Sequence, residues 1–189
     1  MNALYLIRHS LTEANALRLY GGSTDSPLTA EGRKIALERR GVVPACGLYV
    51  SSGMRRADET LRLMTGREAD LTLPGLREMD FGAFEMRSYA QLKDDPAYIR
   101  WIEDQTGTVR CPGGENLSAF RARVLADGAR LIALAEKTAC AVCHGGVIVN
   151  LMQAWFPGEA RNFYQWQPGP CGGYRIDVAD GRPAGFQEV

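Results

Sequence analysis

Nothing in the 189 residues approaches the run of about 18 apolar side chains that a membrane-spanning helix needs, and there are no repeats or low-complexity segments. Met1-Asn2 leads straight into a strand-like run without the basic and apolar regions of a secretory signal, so a cytoplasmic protein is expected. Charge of one sign is also missing. Lys plus Arg and Asp plus Glu number 22 each, which removes the global field that would attract nucleic acid or an anionic membrane surface. The five cysteines (Cys46, Cys111, Cys140, Cys143, Cys171) are odd in number and scattered, which argues for reduced thiols rather than a disulfide framework. Cys140 and Cys143 form a C-x-x-C, but on a strand a spacing of three sends the sulfurs to opposite faces, and they read as small buried apolar residues. Histidine is scarcest of all. Two imidazoles, without an H-x-x-x-H or a close Asp cluster, do not supply a zinc or two-metal centre, so no metal and no cofactor is expected.

The two histidines that are present occupy equivalent settings. His9 follows Arg8 where the apolar run Leu4–Ile7 gives way to Ser10-Leu11-Thr12-Glu13-Ala14-Asn15. His144 follows the strand-like Cys140–Cys143 and precedes Gly145-Gly146 and the apolar run Val147–Met152. Junctions of strand, glycine or cap, and helix are where α/β folds receive anions, because free N–H groups and the positive end of the helix dipole converge there. An arginine beside them offers the planar fork that fits phosphate oxygens. The chemistry indicated is phosphate held beside a histidine.

The length suits a single domain over 1–189. Strands and helices alternate along it: strand 3–7, a short helix capped by Thr12, a helix 30–40 capped by Thr29 and stopped by Gly41, strand 48–50, and a helix ending at Gly66. A short strand at 71–73 follows, then an aperiodic stretch from Leu76 to Phe84, a helical segment 88–105 broken at Asp95-Pro96, and a long helix 117–136 with Leu117, Phe120, Val124, Leu131 and Ala135 on one stripe. The last third reads as strand 140–143, its helix, and strands 163–167 and 173–178 joined through Pro168-Gly169-Pro170 as an antiparallel edge hairpin. This order predicts an α/β three-layer sandwich, with a mostly parallel central sheet, helices on both faces and an antiparallel edge.

The ordered set Arg8-His9 with Thr12-Glu13 and Asn15, Asp25-Ser26-Pro27-Leu28-Thr29 with Gly32, Ser51-Ser52 with Arg56-Ala57 and Thr60, Leu76-Arg77-Glu78 with Phe81-Gly82 and Phe84-Glu85, Pro112–Glu115, and His144-Gly145-Gly146 resembles the histidine phosphatase superfamily, also called phosphoglycerate mutase-like. Within it, the Pro-Gly-Gly-Glu segment and the hairpin expected at 163–178 resemble the short bacterial phosphatases related to α-ribazole phosphatase. The resemblance implies His9 as a nucleophile that becomes a phosphohistidine, and Arg8, Arg56 and His144 as a clamp on the phosphoryl oxygens. It implies Glu78 as the acid for the leaving group and then the base for water. Ser10, Asn15 and Gly145 join the phosphate-binding set, Asn15 with the alternative of bonding its own backbone at a helix start. Arg55 reads as a solvated or rim residue, Glu115 as an acidic first-turn residue, and Glu13 and Glu59 as solvated.

Two positions depart from the resembled pattern. Ser10 stands where glycine is usual, and Met86 replaces the glycine after Phe84-Glu85, under the aromatic segment Phe81, Phe84, Tyr89, Tyr98 and Trp101. The expected activity is hydrolysis of a small phosphomonoester by a metal-independent phosphatase, because mutases of this family are usually longer. The alternatives are a mutase-type phosphotransfer and, from another class, a catalytically weak phospholigand-binding regulatory module. The sequence carries no signature of an oligomeric state.

Overall fold

The computed structural model describes residues 2–135 and 137–189; Met1, and Glu136 at the expected end of the long helix, lie outside the described residues. The first strand, β1 (Asn2–Arg8), buries Leu4 and Leu6 on one side and Ala3, Tyr5 and Ile7 on the other, as a strand covered on both faces must. A one-turn helix α1 (Glu13–Ala16) follows, with Thr12 and Asn15 in a capping box. Next come α2 (Ala30–Glu38), capped by the Thr29 side chain, then β2 (Leu48–Ser51) and α3 (Arg55–Thr65), which stops at left-handed Gly66 with φ +73°. The strand β3 (Leu71–Thr72) is short, and the aperiodic stretch after it holds two 3₁₀ turns at 74–76 and 82–84. Asp95-Pro96 divides α4 (Tyr89–Leu92) from α5 (Pro96–Ile102) because Asp95 caps the second helix and Pro96 opens it.

The helix α6 (Leu117–Leu134) is the longest described, started by Asn116. It leads to β4 (Ala139–Cys143), α7 (Gly145–Trp155), α8 (Phe163–Trp166), β5 (Gly173–Ala179) and β6 (Arg182–Glu188). The sheet order is β3-β2-β4-β1-β5-β6, parallel across the first four and antiparallel at β5 and β6. Residues of α6 and α7 pack on the Leu4/Leu6 face, and residues of α2 and α3 on the Ala3/Tyr5/Ile7 face. Cys140 and Cys143 fall into opposite cores, as their spacing requires.

The antiparallel edge differs in detail from the sequence expectation. Residues 163–166 are helical, because Asn162 and Gln165 form a capping box that satisfies the first-turn backbone. The hairpin partner of β5 is instead β6, joined through Asp180-Gly181, both at positive φ (50° and 69°), the backbone that a two-residue hairpin turn demands. Pro183 and Gly185 make β6 read as a loop, yet an edge strand tolerates both.

Candidate active site

Parallel pairing of β1 with β4 sets Arg8 opposite Cys143, so the next residues of the two strands, His9 and His144, emerge side by side at the carboxyl ends of the sheet. The His9 N–H donates to the Cys143 carbonyl (2.9 Å), and the two rings lie with centroids 5.0 Å apart. His9 is buried, 5% exposed, not at an open strand end. Its Nδ1 lies 2.7 Å from the Ser10 carbonyl oxygen. A carbonyl only accepts, so Nδ1 carries the hydrogen and Nε2 keeps its lone pair. Burial, then the charges of Arg56 and Arg8, bring the His9 pKa down to about 3 against the opposing pull of that hydrogen bond.

His144 is fully buried and precedes α7 as its N-cap. Arg56 Nε donates to His144 Nδ1 (3.3 Å), which leaves the hydrogen on Nε2 to face Ser52 Oγ (2.9 Å). Burial lowers its pKa well below the ordinary value, with His9 and Arg56 acting in the same direction.

Arg56, 2% exposed, also donates to the carbonyls of Gly22 (2.7 Å) and Thr24 (3.0 Å) and pairs with Asp25 at 3.4 Å. Asp25 in turn accepts the Arg55 N–H (2.7 Å), so the Asp25–Thr29 motif both supports the start of α3 and orients the guanidinium. Arg55 is exposed. Arg8 is held by a single bond from Nη1 to the Pro168 carbonyl (2.8 Å), and its buried Nε has no protein partner. A Cβ at Gly145 would come within 2.6 Å of Gln167 Nε2 and 3.4 Å of Arg8 Nε, so the glycine leaves open the space beside these two side chains. Burial lowers the pKa of both guanidiniums, and the Glu78 carboxylate pulls both back up.

Glu78 places one carboxylate oxygen 2.9 Å from the Gly146 N–H, in the first turn of α7, and the other 3.0 Å from the Met79 N–H. A Cβ at Gly146 would stand 2.5 Å from Glu78 Oε1, so the second glycine is what lets the carboxylate approach. A cavity of about 330 Å³ bordered by Ser23, Met54, Arg77, Glu78, Asp80 and Arg123 opens beside it. A larger cavity of about 430 Å³, bordered by Asp25, Arg55, Asp58, Glu59, Arg62 and Glu68, touches neither a histidine nor Glu78.

Other residues singled out from the sequence have structural partners. The Ser10 hydroxyl donates to the Gly32 carbonyl (2.6 Å), while its N–H goes to Thr60 Oγ1 (2.9 Å), tying the His9 loop to α2 and α3. Asn15 Oδ1 accepts from the Thr12 N–H and hydroxyl, the helix-start role that was its alternative. Glu59 is not solvated but pairs with Arg33 at 2.6 Å. Glu115 lies outside the first turn of α6 and grips Arg123 with both oxygens, at 2.8 and 2.7 Å. Met86 takes φ +56°, the left-handed backbone that explains glycine in the resembled pattern. Arg123 was missed, because a lone arginine on a helix reads as part of a solvated face.

The sequence pattern of the histidine phosphatase superfamily (branch 1) matches residues 4–185. The chain belongs to the histidine phosphatase superfamily. It is 31% identical to the adenosylcobalamin/alpha-ribazole phosphatase of Salmonella typhimurium over 185 residues, 94% of this chain and 91% of that one. Among solved structures, the alpha-ribazole phosphatase of Shigella flexneri superposes with a TM-score of 0.85 at 29% identity, over 95% of this chain and 92% of the other. A phosphoglycerate mutase from Thermus thermophilus superposes with a TM-score of 0.75 at 32% identity, over 99% of both chains. Both a phosphatase and a mutase name therefore occur among the relatives of this chain.

Proposed function

We propose that this superfamily member is a phosphomonoesterase that hydrolyses a small phosphorylated metabolite through a phosphohistidine on His9. The observation that carries this reading is the protonation geometry of His9: Nδ1–H on the Ser10 carbonyl, Nε2 free, and a ring kept neutral by burial and two guanidiniums. In the first step His9 Nε2 forms a bond to phosphorus while the P–O bond to the organic group breaks, and Glu78 in its acid form gives its proton to the departing oxygen. In the second, water attacks the phosphorus, Glu78 takes back a proton, and the N–P bond breaks, releasing phosphate and restoring the lone pair. Arg8, with its unpartnered Nε, and Arg56 stabilise the charge on the transferring group, and His144, held between Arg56 and Ser52, flanks it. Ser10 acts by shaping the His9 loop, and Gly145 leaves room for oxygens against Arg8.

Metal-independent action is part of the same reading: the two steps balance without a metal ion, and among the described residues no three His, Cys, Asp or Glu side chains gather into a metal site. So are a cytoplasmic location and a small-molecule partner; no described helix is long and apolar enough to cross a membrane. Hydrolysis is favoured over transfer by the likeness to alpha-ribazole phosphatases over nearly the whole chain, and a related phosphomonoester is the substrate class to try first. The deciding experiment is a panel of phosphomonoesters with phosphate release and phosphoryl transfer to added alcohols or phosphoglycerates measured together. Stoichiometric phosphate release is expected; predominant transfer to a returning phosphoglycerate would assign a mutase instead.

A further inference from the structure

Arg123 Nη1 donates to the carbonyls of Gly75 (2.9 Å) and Arg77 (2.6 Å), and Nη2 to that of Glu78 itself (2.8 Å). The same guanidinium is gripped from behind by both oxygens of Glu115, of which Oε2 also accepts the Asp80 N–H (3.0 Å). Asp127, one turn further along α6, accepts the Gly75 N–H (2.7 Å). One face of α6 therefore fastens the backbone of residues 75–80, which has no regular ladder of its own after the 3₁₀ turn at 74–76. A rigid anchor matters here because Glu78 must keep its carboxylate on the Gly146 N–H and within reach of the reacting oxygen, and small misplacements of a reacting group are costly.

We infer that Arg123, oriented by Glu115, is the positioning residue for the acid–base carboxylate of Glu78. It acts through the Glu78 backbone and has no bond to His9, Arg8 or Arg56. The inference rests on the proposed acid role of Glu78. Arg123→Lys retains a cation but cannot span three carbonyls and a carboxylate at once.

The test compares an alkyl phosphate, whose alkoxide needs a proton to leave, with p-nitrophenyl phosphate, whose phenolate does not. General acid catalysis typically contributes about 10²–10⁴-fold, so Glu78→Gln should lose kcat/KM on the alkyl ester by that order and far less on the aryl ester. Arg123→Lys should show the same selectivity in kcat/KM, which reports phosphorylation of the enzyme and not the hydrolysis step common to both esters, losing about 10- to 100-fold more on the alkyl ester than on the aryl ester, with inhibition by vanadate unchanged. In a Glu78→Gln background Arg123→Lys should have no further effect on the alkyl ester. Equal losses on both esters in Arg123→Lys, or additive losses in the double variant, would overturn the inference while leaving Glu78 as the acid. Equal losses in Glu78→Gln itself would remove the acid assignment and this inference with it. Should Arg123→Lys fold poorly, Glu115→Gln, which keeps the arginine and loosens its grip, is held to the same comparison.

Discussion

Arg8 and Arg56 are proposed to perform the same task on the phosphoryl group, but the structure gives them different second roles, and lysine substitution separates the two. Arg56 makes directed bonds to Gly22, Thr24 and His144, those to Gly22 and His144 buried, and an ion pair with the exposed Asp25. A lysine at 56 keeps one of these and strands at least two buried acceptors, at about 1–2 kcal/mol each, so about 2–4 kcal/mol of stability should be lost. For a chain of this size that lowers Tm by roughly 5–15 °C. Arg8 has one bond, to Pro168, which lysine can keep, so Arg8→Lys should cost no more than about 1 kcal/mol. In kcat/KM both variants should lose about 2–4 kcal/mol of transition-state stabilisation, roughly 30- to 900-fold, because either loses a fork on a developing anion. Urea unfolding and p-nitrophenyl phosphate turnover, measured well below the lower Tm, give both quantities. The reasoning is refuted if Arg8→Lys destabilises as much as Arg56→Lys, or if either retains full activity.

Acid should unfold the protein partly through its histidines. His9 sits at about 3 in the fold and near 6.5 in the unfolded chain, so between those values the unfolded state binds more protons and stability falls as pH falls. From pH 7 to 5 His9 alone should remove about 2 kcal/mol, His144 adds in the same direction, and His9→Gln should flatten the dependence in urea titrations at the two pH values. Met86→Gly should leave stability within about 1 kcal/mol of wild type, since relief of the left-handed backbone offsets the entropy of glycine, whereas β-branched Met86→Val should lower Tm measurably in a calorimeter. Vanadate should inhibit competitively and EDTA should have no effect on turnover; activity lost to EDTA and restored by zinc or magnesium would point to a metal hydrolase.

The histidine pair was legible from sequence because strand ends, glycines and a neighbouring arginine are local signals, and parallel pairing then brought the two junctions together. Arg56 and Glu78 were legible only through family resemblance, as nothing local to α3 or to the turn at 74–76 marks them. The anchor at Arg123 was not legible. Its acceptors lie 45 to 48 residues earlier in the chain, and a charged residue on an amphipathic helix looks the same whether it faces solvent or carbonyls. The edge hairpin went astray for a different reason. The Asp180-Gly181 turn is a strong signal, but Pro183 and Gly185 weaken the strand after it, while Phe163–Gln167 offered aromatic residues that resemble a strand. The burial of His9 was not legible, because burial at the end of a strand depends on the loops above it, here the one tied down by Ser10, Gly32 and Thr60.

The central claim, that His9 Nε2 carries the phosphoryl group, is tested most directly by trapping it. The enzyme is mixed briefly with a radiolabelled phosphomonoester, quenched in alkali, digested and mapped by mass spectrometry. The expected result is an acid-labile, alkali-stable phosphoryl group on the peptide containing His9, absent from a folded His9→Gln variant that has lost turnover. Label on His144, serine or cysteine, or full turnover in His9→Gln, would contradict the account.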